Sequence, residues 1–170
     1  MKKFGNRQTI RLKKYDYSEA GCYFVTICAQ NRKNLFDDIV VGATRGSPLN
    51  EIINNIWKSL PDHHPVKLDE FVIMPNHVHF IIHIINKGGS RPAPTLGTII
   101  GLFKSECTKQ IRKSIQNNQF NVWQRSYYEH IIRNEKDLNK IRRYIRDNPM
   151  NWEEDRNNLK SKGGELIHGY

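Results

Sequence analysis

Two histidines alternate within an apolar run, MPNHVHF over 74–80, and a tyrosine, Tyr144, precedes an Asn-Pro pair in IRRYIRDNP over 141–149. Alternate residues of a strand share a face, so His77 and His79 point the same way, about 6–7 Å apart along the strand. Both imidazoles can then reach one cation. Two histidines on one side of an apolar strand carry a desolvation cost that a metal or a polar partner must offset. The same spacing also suits a hydrogen-bonded pair facing solvent on an open sheet. Structural zinc sites usually have four protein ligands and catalytic ones three. A two-histidine site therefore needs an oxygen donor from elsewhere, and its open positions suit water and phosphate oxygens. That donor set fits Mn²⁺ or Mg²⁺, although Mg²⁺ prefers oxygen throughout. His83 shares the parity but lies about 13 Å from His79 at the usual rise, too far to join the pair. His63 and His64 follow the end of a helical pattern and read as solvated.

The tyrosine segment, 134–149, reads as a helix capped by Asn134, with Asp137 at the capping-box position. Leu138, Ile141 and Ile145 form a narrow apolar stripe for docking on a sheet. Tyr144 and Asn148 stand one turn apart on its flank. Asn148 precedes Pro149, which disfavours αR angles and predicts a loosened last turn. Arg142, Arg143 and Arg146 surround the phenol, an arrangement suited to a phosphodiester across the helix end. An amphipathic helix with solvated arginines fits the same pattern.

Several elements must bring these groups together. Residues 22–29 (CYFVTICA) read as a buried strand, and Ile39–Val41 is a candidate short partner. Ser47-Pro48 starts a helix whose apolar set, Leu49 to Leu60, stops at Pro61. Strands over 66–74 and 77–86 flank a Pro75-Asn76 turn. After a Gly/Pro loop at 87–94, Leu96, Ile99, Ile100, Phe103, Cys107, Ile111 and Ile115 mark a second helix, with Lys104, Lys109, Arg112 and Lys113 on its other faces. A strand over 127–133 leads into the tyrosine helix. The order β-α-β-β-α-β plus one helix predicts an α+β, ferredoxin-like antiparallel sheet with an additional C-terminal helix. The expected organisation is a basic arm over 1–20, one domain over 21–150 and a polar tail over 151–170.

Bulk properties narrow the partners. The 170 residues suit one domain, and 27 Lys and Arg against 17 Asp and Glu leave a net charge of +10. That excess favours a polyanion, because each phosphate contact releases counterions. Three scattered cysteines form no C-x-x-C pair, which argues against a disulfide framework and for a reducing compartment. Without a signal-like or membrane-length apolar run, the expected location is cytoplasmic.

Together, MPNHVHF (74–80), WQRSYYEHIIR (123–133) and IRRYIRDNP (141–149) resemble the single-tyrosine HUH transposases, in particular the REP-associated tyrosine transposases of the insertion-sequence 200/605 superfamily. The likeness spans roughly residues 20–150. It implies that His77 and His79 bind Mg²⁺ or Mn²⁺, that Asn148 completes the metal site, and that Tyr144 is the nucleophile. The implied reaction cuts and rejoins single-stranded or hairpin DNA through a 5′-phosphotyrosine. Lys104, Arg112, Arg125, Arg142, Arg143 and Arg146 are the candidate DNA contacts. Tyr127 and Tyr128 compete for the nucleophile's role, but their strand setting suits packing. Two other readings stay open: a ferredoxin-like module that binds hairpin DNA or RNA without chemistry, and a nuclease using metal-activated water. A homodimer or a monomer is compatible with the sequence.

Overall fold

The computed structural model describes residues 20–36, 47–85, 94–155, 157 and 158. Their elements run β1 (Gly21–Cys28), a short 3₁₀ turn (Gln30–Arg32), α1 (Pro48–His63), β2 (Val66–Met74), β3 (His77–Ile84), α2 (Leu96–Ser114), β4 (Tyr128–Ile132), α3 (Glu135–Asp147) and a second 3₁₀ segment (Asn148–Glu154). The four strands form one sheet in the order β2-β3-β1-β4, and every pairing is antiparallel. This is the ferredoxin-like arrangement with an added C-terminal helix, as the order of elements predicts.

Strand alternation divides the side chains between two layers. Tyr23, Val25, Ile27, Val78, Phe80, Ile82 and Ile84 face α1 and α2 in the main core, with Ile53, Trp57, Ile99 and Phe103. On the opposite face, Phe24, Ile81 and Ile132 meet Leu138 and Ile145 of α3. The apolar stripe of α3 thus docks on the sheet face that carries His77 and His79.

β2 contains one extra residue. Leu68 pairs with Ile82, but Phe71 pairs with Phe80, so three steps on β2 match two on β3. The parity of the core-facing residues switches there, from Val66 and Leu68 to Phe71 and Ile73. Such a bulge turns two successive side chains toward the same face, here Asp69 and Glu70, which both bond α3.

The caps follow the sequence: Ser47 Oγ accepts from Leu49 N–H and Asn134 Oδ1 from Asp137 N–H at 2.8 Å. The helix ends differ from expectation. α1 runs through Pro61 to His63, because a proline in the final turn costs one backbone hydrogen bond, and His64 N–H still closes on Leu60 O. Asn148 keeps αR angles despite Pro149, which opens a 3₁₀ turn where its missing N–H is not needed. The chain then folds back: Asp155, Asn157 and Asn158 are buried, beyond the boundary expected at residue 150. The arm, the Ile39–Val41 strand and residues 159–170 lie outside the described residues. No described helix is long and apolar enough to cross a membrane.

Candidate metal and tyrosine site

His77 and His79 leave β3 on one face, and both are fully buried. Their Nε2 atoms are 2.9 Å apart. Asn76 fixes the first ring. Its Nδ2 donates to the carbonyls of Asn157 (2.7 Å) and Arg32 (3.3 Å), which turns its Oδ1 toward His77 Nδ1 at 2.7 Å. Because that oxygen can only accept, His77 carries its proton on Nδ1 and offers a lone pair at Nε2. Thr26 on β1 lies 2.8 Å from His79 Nδ1. Its hydroxyl can accept from an Nδ1–H, which leaves His79 Nε2 as a second ligand atom. Partners of this kind on the far ring nitrogen orient metal-binding histidines.

Asp155 brings a carboxylate to the pair. One ligand atom from each of His77, His79 and Asp155 lies within 4.8 Å of the other two. Sequence reasoning missed this residue, because it lies past the Asn-Pro pair in what reads as a polar tail. Trp152 seats the returning segment, its ring 6.0 Å from that of His77. Asn148, expected as the third ligand, is buried, and its Nδ2 has no hydrogen-bond partner among the described residues. Two imidazole nitrogens and a carboxylate oxygen fit a divalent cation that keeps open positions.

Tyr144 reaches the site from α3. Its hydroxyl lies 3.4 Å from His79 Nε2, and the two rings are 5.4 Å apart. Phe24 walls the contact, edge-on to Tyr144 at 6.0 Å and 5.3 Å from His79. At 40% exposure, the phenol is reachable from outside. The competing tyrosines pack: Tyr127 lies against the main core and Tyr128 against Phe24.

The basic candidates divide into engaged and open residues. Arg142 spans Asp69 with two bonds, Nε to Oδ1 at 3.0 Å and Nη2 to Oδ2 at 2.6 Å. Arg146 bonds Glu70 at 3.0 Å. Lys104 donates to the carbonyls of Gln124 and Arg125, and burial lowers its pKa. Arg112 donates to Phe120 O. These two pin the 120–125 segment to α2, and a groove of about 430 Å³ between them also takes in Lys109, Trp123 and Arg125. That groove lies on the α2 side of the sheet, away from the histidines. Arg143 and Arg125 are exposed. His130 bonds Asp137 at 2.9 Å, tying β4 to the first turn of α3, while His83 bonds Asp69.

Comparison with known proteins bears on the family and the fold. The family model described as "Transposase IS200 like" matches residues 19–148. An uncharacterized protein of Haemophilus influenzae is 41% identical, over 88% of this chain and 92% of that protein. A second protein of Haemophilus influenzae, named "Putative REP-associated tyrosine transposase", is 28% identical over 79% of this chain and 73% of its own length. Among solved structures, a REP-associated tyrosine transposase bound to a REP hairpin shares the fold at a TM-score of 0.56 and 21% identity, covering 84% of this chain and 74% of that one.

Proposed function

Because the chain belongs to the IS200-like transposase family, we propose that it cuts and rejoins single-stranded DNA, with Tyr144 as nucleophile and a divalent cation held by His77, His79 and Asp155. The observation that carries this reading is the 3.4 Å approach of the Tyr144 hydroxyl to His79 Nε2. It supports the reading because an exposed tyrosine and the buried histidine pair meet within one chain.

The chemistry assigns each group a task. Tyr144 Oη attacks the phosphorus, the bond to the 3′-oxygen breaks, and the tyrosine becomes esterified to the 5′-phosphate. Attack by another 3′-hydroxyl reverses the step, so strands are rejoined without ATP. The bound cation, Mg²⁺ or Mn²⁺, would supply Lewis-acid stabilisation of charge on the phosphate oxygens. Asn76 and Thr26 keep the two Nε2 lone pairs turned inward. Phe24 limits the approach of the phenol to one side.

Residues 21–150 form the catalytic unit in this reading, with Asp155 added by the returning segment. Arg143 and Arg125 contact the backbone directly. Lys104 and Arg112 shape a basic groove for it, while Arg142 and Arg146 act chiefly by holding α3. The basic residues of 1–20 add sequence-independent attraction. Hairpin DNA is the preferred substrate, by analogy with the hairpin-bound relative. The cytoplasm is the location that goes with this reading. The site needs no second copy of the chain, so a monomer suffices for the cleavage step.

A 3′-end-labelled, hairpin-bearing single strand tests this with Mn²⁺ present. The wild type should acquire label covalently, whereas Tyr144→Phe should bind the strand and remain unlabelled. Cleavage without a protein-linked product would favour the nuclease reading. Binding with neither cleavage nor label would favour the non-catalytic module.

A further inference from the structure

Three elements meet at one carboxylate. Asp69, in the β2 bulge, accepts both Arg142 bonds from α3 and lies 3.2 Å from His83 Nε2 on β3. β3 is the strand of the paired histidines, and Arg142 is two residues from Tyr144. We infer that Asp69 is a positioning residue for Tyr144, holding α3 in the register that sets the phenol beside His79. This inference rests on the reading of Tyr144 as nucleophile only for its catalytic consequence.

The bulge explains how one strand reaches the helix twice. In a regular strand Asp69 and Glu70 would point to opposite faces, and only one could meet α3. The extra residue turns both toward it, giving Asp69–Arg142 and, one helical turn on, Glu70–Arg146 at 3.0 Å. Tyr144 lies between those two arginines in sequence. Asp69 is the stronger tie, since its side chain is only 11% exposed and a bidentate guanidinium–carboxylate pair fixes direction as well as distance. The Arg142 hydrogen bonds hold the carboxyl at about 2, with His83 and the Glu70 amide adding to the effect, so it is charged at any working pH. The two apolar anchors of α3, Leu138 and Ile145, supply adhesion but tolerate rotation about the helix axis. Directional bonds remove that freedom.

Replacing the full chain's tyrosines by 3-fluorotyrosine gives a ¹⁹F line for residue 144, assigned by its loss in Tyr144→Phe. Asp69→Asn should shift that line and slow single-turnover adduct formation by about ten- to a hundredfold, the scale of a small misplacement of a reacting group, with hairpin-DNA affinity unchanged. Asp69→Glu, which keeps the charged fork, should recover most of the rate. Arg142→Gln, on the exposed side of the pair, should slow the reaction similarly, and combining it with Asp69→Asn should add nothing further. An unmoved ¹⁹F line and an unchanged rate in both single variants would overturn the inference. So would weakened DNA binding in Arg142→Gln whose effect adds to that of Asp69→Asn, since Arg142 would then serve the DNA. A wild type that forms no adduct, while Asp69→Asn still shifts the line, would refute the nucleophile and leave the positioning role standing.

Discussion

Thr26 on β1 lies 2.8 Å from His79 Nδ1, on the far side of the ring from Tyr144. The imidazole between them is held by one neighbour and faces the other. If His79 is a metal ligand, Thr26→Val removes the group that fixes its tautomer, and Mn²⁺ affinity should fall about 10–100-fold, the usual effect of losing such a partner. Calorimetric titration with Mn²⁺ checks this; unchanged affinity would mean that the ring needs no orienting bond.

Asp155 and Asn148 make opposite predictions for the third ligand. Asp155→Ala should weaken Mn²⁺ binding as strongly as His77→Ala, since each removes one of three clustered donors. Asn148→Ala should leave Mn²⁺ affinity nearly unchanged and cost little stability, because its buried Nδ2 has no hydrogen-bond partner among the described residues to lose. Electron paramagnetic resonance of bound Mn²⁺ separates the two. The reverse ranking would make Asn148 the oxygen donor.

The Asp69–Arg142 pair should be visible in acid. Hydrogen bonding to Arg142 lowers the Asp69 pKa from 3.8 to about 2. A depressed carboxyl pKa contributes stability that is present above the unfolded value and lost as pH falls through the folded one. The melting temperature of the wild type should therefore drop between pH 4 and 2 more steeply than that of Asp69→Asn. Parallel curves would show that the pair adds no stability.

Salt should weaken DNA binding. Each phosphate contact on a single strand contributes a slope of about −0.7 in log K against log salt. Arg143→Ala and Arg125→Ala should each lower the slope by roughly that amount. Lys104→Ala should act mainly through the melting temperature, because its ammonium is committed to two carbonyls. A slope insensitive to both arginine changes would place the DNA elsewhere on the surface.

Much of this was legible in the chain itself. The parity of His77 and His79, the caps Ser47 and Asn134, and the stripe Leu138–Ile141–Ile145 are local signals, and they carry over directly to the sheet, its helices and the docked α3. Asp155 was not legible, because its place depends on a return of the chain after Pro149 that no local periodicity encodes. Asn157 contributes backbone groups, its carbonyl to Asn76 and its N–H to Asp155 Oδ1, which leave no mark on residue type. The commitment of Arg142 to Asp69 was hidden for a similar reason, since charge alone does not distinguish a cation aimed at DNA from one aimed at a carboxylate across the fold. The β2 bulge did leave a trace: the apolar alternation of VKLDEFVIM slips by one residue at Asp69-Glu70.

The most direct measurement is mass spectrometry of the protein–DNA adduct after nuclease and protease digestion. The account predicts a nucleotide 5′-phosphate esterified to the peptide containing Tyr144. A nucleotide on Tyr127 or Tyr128 would contradict it, as would strand cleavage that leaves no tyrosine modified.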